Sequence, residues 1–86
     1  MEAVSNMGTE KQIEILVNEQ PVRMDDRIAT GAQIKAAAIA QGVVIQQTFA
    51  LQEELPNGTS KTIGDNDEVR LHPHLKFTAI AADDNS

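Results

Sequence analysis

From Gln12 to Asn18 the chain reads QIEILVN, with Ile13, Ile15 and Val17 at every second position and Gln12 and Glu14 between them; Leu16 alone interrupts the polar parity. A period of two predicts a strand with one well-buried face. After a short turn over Asn18 to Gln20, PVRMDD resumes the alternation, Val22 and Met24 against Arg23 and Asp25, and predicts the second arm of a hairpin. Pro21 stands at the first residue of that arm, where a missing backbone donor is tolerated.

The period then changes. Thr30 followed by Gln33 matches a capping box, an alanine-rich run continues to Ala40, and Gly42 is placed as a stop, so one helix of about ten residues is predicted. Ile34, Ala37 and Ala38 form its narrow apolar stripe, and small alanines let such a helix sit close on a sheet. Phe49 and Leu51 alternate with Thr48, Ala50 and Gln52 in a third strand. The following LPNGTSKTIGDNDEV reads as turn chemistry, punctuated by Asn57-Gly58 and Gly64-Asp65, with Ile63 as a lone apolar peg. In the last strand Leu75, Phe77 and Ala79 share one parity and Lys76, Thr78 and Ile80 the other.

Strand, strand, helix, strand, turn-rich connection, strand is the order of an α+β domain, a β-grasp in which a mixed four- to five-stranded sheet packs one helix on one face. The expected core is Ile13, Ile15, Val17, Val22, Met24, Ile28, Ile34, Ala38, Val44, Phe49, Leu51, Leu55, Ile63, Val69, Leu71, Leu75 and Phe77. Residues 1–10 are polar and aperiodic and are expected to form a flexible lead, residues 11–80 the domain, and residues 81–86 a flexible acidic tail.

Composition narrows the chemistry. The chain has 86 residues, room for one core and one domain. It has no cysteine, which removes disulfides, thiolate nucleophiles and Cys-ligated metals. The first ten residues show neither a basic nor an apolar signal region, and no stretch is apolar enough to span a membrane, so a soluble cytoplasmic protein without membrane partners is expected. With a net charge of -6, scattered basic residues and no Trp or Tyr, there is no footprint for nucleic acid. Charge steering favours basic protein partners.

Four motifs carry a family resemblance: Val17-Asn18-Glu19-Gln20-Pro21-Val22, Thr30-Gly31-Ala32-Gln33-Ile34, Gly64-Asp65-Asn66-Asp67-Glu68-Val69-Arg70-Leu71-His72-Pro73, and Lys76-Phe77. With them, the span from Lys11 to Ile80, about four-fifths of the chain, resembles ubiquitin, and more closely the bacterial multiubiquitin-type domains. The resemblance implies a ubiquitin-like protein modifier, or its precursor. Its tail would be processed and conjugated to target proteins by conjugating-enzyme-like, activating-enzyme-like or peptidase- and transpeptidase-like partners encoded nearby. No cofactor and no catalytic role of its own is implied, and a monomer is expected. The alternative is a non-covalent ubiquitin-like binding module with an inert tail.

Ubiquitin ends in two glycines, which alone lack a clashing Cβ in a narrow enzyme channel; here Ala81, Ala82, Asp83, Asp84, Asn85 and Ser86 follow the last strand. Three readings are open for them. The tail is a precursor cut by a peptidase, an Asp or Asn acyl donor for a partner that forms an acyl-enzyme, or an inert solvated terminus. The candidate processing residues are Ala82, Asp83, Asp84 and Asn85. Strand parity assigns Leu16, Thr48, Ala50, Lys76, Thr78 and Ile80, with Glu14, to an exposed partner-binding face. By the resemblance, Ala50 occupies the place of an isoleucine central to ubiquitin's apolar patch, so receptors of ubiquitin are expected to bind poorly.

Two further clusters invite other chemistry. His72-Pro73-His74 has imidazoles but no convergent carboxylates, and Asp65-Asn66-Asp67-Glu68 lacks the spacing of a calcium loop, so both are read as structural turns and no metal is assigned. Hydroxyl side chains lie mostly in turns and tails and both histidines in one turn, which supplies no nucleophile and base for an enzyme.

Overall fold

The computed structural model describes residues 12–81, which build β1 (Ile13–Val17), β2 (Gln20–Met24), β3 (Ile28–Thr30), α1 (Gly31–Ala40), β4 (Ala50–Glu54), β5 (Ser60–Ile63), β6 (Glu68–Arg70) and β7 (Lys76–Ile80). Five strands form a mixed sheet in the order β2-β1-β7-β4-β5, and β3 pairs with β6 in a separate two-stranded ribbon. β1 and β7 run parallel at the centre of the sheet, and the other neighbours are antiparallel. The last strand thus inserts between elements from the two halves of the chain, and α1 sets Ile34 and Ala38 into one core with Ile15, Val17, Leu51 and Phe77. This is the β-grasp arrangement. The predicted lead at residues 1–10 and nearly all of the tail lie outside the described residues.

The hairpin turn is tighter than the alternation suggests. Asn18 and Glu19 both take positive φ, 53° and 68°, as two-residue turns matched to strand twist require, and pairing resumes at Gln20 opposite Val17. On the outer edge of β2, the Arg23 N–H donates to Gln41 Oε1 at 2.8 Å and the Arg23 carbonyl accepts from Gln41 Nε2 at 2.8 Å. Pro21, two residues earlier, turns its missing donor to the same side, so the ladder to β1 loses nothing.

The helix start is clamped. Thr30 Oγ1 accepts from the Gln33 N–H at 3.2 Å while Gln33 Oε1 accepts from the Thr30 N–H at 2.9 Å, the reciprocal capping box. Beyond it, the Gly31 and Ala32 N–H groups donate to the carbonyls of Asp67 and Asp65, each at 3.2 Å. A Cβ built on Gly31 would lie 2.3 Å from the Gly64 carbonyl oxygen, so only glycine admits this approach. One turn later Lys35 is buried, 3% exposed. Its ammonium donates to the carbonyls of Gln47 at 2.7 Å and Phe49 at 2.8 Å, and pairs with the Asp65 carboxylate at 2.8 Å. At the far end Gly42, at φ 100°, turns the chain out of the helix.

Several expectations need correction. Ile28 is 48% exposed and Val44 91% exposed; their neighbours Ala29, Val43 and Ile45 are buried instead, because the chain enters each segment one residue out of the assumed parity. Leu55, at the β4–β5 turn, is only half-buried. Thr48 lies in a turn before β4 rather than in the strand. The connection read as turns contains β5 and β6: β4 and β5 form a hairpin around Asn57-Gly58, and Val69 pairs with Ala29.

Gly31→Ala separates the clamp from ordinary helix propensity. In an exposed helix the change gains about 0.5–1 kcal/mol; here the added methyl meets backbone, and a loss of about 1–3 kcal/mol in urea unfolding is expected. A variant more stable than the parent would contradict the Gly31–Gly64 contact.

Candidate functional site

The sheet has one face on the helix and one turned outward, and register decides what the outward face carries. On β7 it presents Lys76, Thr78 and Ile80; Ile80 pairs with Ala50 and Thr78 with Gln52 on β4, and Lys76 pairs with Leu16 on β1. Glu14, Ala50, Lys76 and Ile80 are exposed, Leu16 and Thr78 half-buried. Five of the six predicted face residues therefore share one surface, with Glu14 beside them, and Thr48 stands apart in its turn. The Thr78 hydroxyl donates to Glu54 Oε2 at 2.7 Å, which fixes a carboxylate on this face. Between Leu16, Glu19, Glu54, Lys76 and Phe77 lies a groove of about 180 Å³.

The apolar positions do not merge. Lys76, opposite Leu16, stands four positions before Ile80, roughly 13 Å along a strand, with Thr78 between them. The exposed apolar pair, Ala50 with a 46% exposed Ile80, sits where β7 ends. That geometry suits a contact made next to the departing chain.

β7 is held to its last residues from both sides. On one side β4 pairs through Ile80. On the other, β1 has ended at Val17, and the side chain of Asn18 continues the ladder. The Ala79 N–H donates to Asn18 Oδ1 at 2.8 Å, and Asn18 Nδ2 donates to the Ala79 carbonyl at 3.3 Å. An amide side chain thus stands in for the next peptide group, while its own backbone already turns into β2. Ala81 is exposed and follows the strand directly. The candidate processing residues Ala82, Asp83, Asp84 and Asn85 lie outside the described residues.

The acidic turn is occupied with structure. Asp65 pairs with Lys35, and Asp67 Oδ2 accepts from the Gly64 N–H at 2.8 Å. His72 and His74 are both exposed, and no group of three or more potential ligands comes together among the described residues. None of their helices is long and apolar enough to cross a membrane.

Sequence reasoning missed Lys35, Asn18 and Gln41. A signal for Lys35 is present: it is the single charge in an otherwise uncharged helix, and a lone cation on an apolar element needs partners from elsewhere. The two amides carry no such signal, since their partners stand 61 and 18 residues away.

In comparison with known proteins, the multiubiquitin family model matches residues 13–83, which include all the strands and the helix of the described residues. No curated protein and no solved structure matches the chain.

Asn18→Ala removes the clamp on β7 and Asn18→Gly removes it while keeping a residue suited to positive φ. Both should speed hydrogen exchange at the Ala79 amide, and the alanine variant should lose about 1–3 kcal/mol of stability. Unchanged Ala79 exchange in both variants would contradict the clamp.

Proposed function

The chain belongs to the multiubiquitin family, and we propose that it serves as a ubiquitin-like protein modifier, or the precursor of one, in a bacterial ubiquitination-like pathway. The observation that carries the reading is the end of β7. A strand held on both sides brings the chain out beside the exposed Ala50–Ile80 pair, with Ala81 already free of the sheet. A partner seated on that pair has the following residues within immediate reach, from an origin that does not wander.

In this scheme the domain is a substrate and not a catalyst. Conjugating-enzyme-like, activating-enzyme-like or peptidase- and transpeptidase-like proteins act on it. The small Ala81-Ala82 pair keeps the approach to an enzyme cleft slim, and Asp83, Asp84 or Asn85 offers a side chain to a specific subsite. A nucleophile of the partner attacks the carbonyl of one of these residues, the peptide bond after it breaks, and the downstream residues leave as an amine. A target amine then attacks the acyl-enzyme, forms an amide with the modifier and restores the partner's nucleophile.

The second reading keeps the face and drops the tail chemistry, giving a non-covalent docking module. Intact-mass and peptide mass spectrometry on the chain co-expressed with its neighbouring genes separates the two. Cleavage within Asp83 to Ser86, or an adduct through one of these residues, is expected for the modifier. An intact tail absent from every adduct would overturn that reading in favour of the module.

A further inference from the structure

The two edges of the main sheet are treated differently. On β2 the outward N–H and carbonyl of Arg23 are taken by the Gln41 amide, and Pro21 offers no donor at all. On β5 the direction of each peptide follows from one contact: the Leu55 N–H donates to the Thr59 carbonyl at 2.8 Å, so Thr59 faces β4. Alternation turns Lys61 and Ile63 the same way and Ser60, Thr62 and Gly64 outward. Gly64 obeys this, and its outward groups are already engaged, its N–H by Asp67 Oδ2 at 2.8 Å and its carbonyl by the Asp67 N–H at 3.1 Å. The open part of the edge is therefore the N–H and carbonyl of Ser60 and of Thr62, groups that bond to no other strand among the described residues.

Beside this edge a groove of about 470 Å³ separates β5 from β6. Ile63 and Val69, both buried, form its floor, and Glu53, Lys61, Asp67, Glu68 and Arg70 line its sides. A strand laid along β5 would place every second side chain over that floor and the others on the outward face with Ser60 and Thr62.

We propose that the outer edge of β5 is a strand-addition site for a short extended segment of a partner protein. The segment pairs by backbone hydrogen bonds to Ser60 and Thr62, sets a β-branched side chain over Ile63 and Val69, and carries flanking basic residues suited to a chain of net charge -6. Pairing between two copies is the disfavoured alternative, since it brings two such net charges together and Lys61 near its own counterpart. The short edge limits the addition to about four backbone bonds, which suits a reversible contact. Strand addition at β5 does not depend on the fate of the tail.

The test is amide NMR on the ¹⁵N-labelled full chain with two blocked peptides, acetyl-KTVTVK-amide and the donor-poor acetyl-KPVPVK-amide. With the first at about 1 mM, the Ser60 and Thr62 amides should exchange at least about tenfold more slowly, and the second should have no effect. Thr62→Pro, which removes an outward donor and no ladder bond, should abolish the protection of Ser60, and Thr62→Ala should retain it. Unchanged exchange, equal effects of the two peptides, shifts centred on the β2 edge or on Leu16 and Ile80, or concentration-dependent protection without peptide would each overturn the proposal. The wild-type exchange data and the proline peptide decide the matter even if Thr62→Pro fails to fold.

Discussion

A lysine ammonium removed from water governs how this fold is assembled. A buried cation must find partners for its donors or the site is lost, and Lys35 finds three: the carbonyls of Gln47 and Phe49 and the carboxylate of Asp65. The carbonyls belong to the segment that leads into β4, the carboxylate to the turn that leads into β6. One side chain therefore ties the helix to two connections that are distant in sequence. The close approach of Gly31 to Gly64 follows from the same docking. Because Phe49 is held, β4 starts at Ala50 in register with Ile80, and the apolar pair at the exit of β7 is built from inside the molecule outward.

Where regular pairing runs out, uncharged amides replace it. Asn18 extends the parallel ladder to Ala79, Gln41 covers the free edge of β2, and Gln47 Nε2 reaches the Ala32 carbonyl at 2.9 Å. An amide side chain carries one donor group and one acceptor, the same pair that a peptide unit presents. These stand-ins have structural consequences: they hold β7 through Ala79 on the side where β1 has ended, and they cover Arg23 on the outer edge of β2.

The sequence revealed the skeleton because local rules agree there. Alternation at Ile13, Ile15 and Val17, the Thr30–Gln33 box and the Gly42 stop each act within a few residues, and the structure has all three. What escaped depends on distant partners. β6 is only three residues long and exists through its pairing with β3, so the GDNDEV stretch reads as a turn when taken alone. Val44 reads as core from the sequence and is exposed, because parity cannot be carried through a segment that is neither helix nor strand. At the candidate site, alternation placed Leu16, Ala50, Lys76, Thr78 and Ile80 together, whereas the amide clamp on β7 rests on a contact across 61 residues.

If the Lys35 ammonium organises the helix, the entry to β4 and the 64–67 turn as one unit, replacing it with an aliphatic chain of similar length must be felt in all three. The most direct measurement is urea unfolding of Lys35→Met followed residue by residue in amide spectra. The account predicts a loss of about 2–4 kcal/mol from two orphaned carbonyls, with displaced resonances at Phe49, Ala50, Asp65 and Ile80 together. Stability equal to the parent's, with Ala50 and Ile80 unmoved, would contradict it.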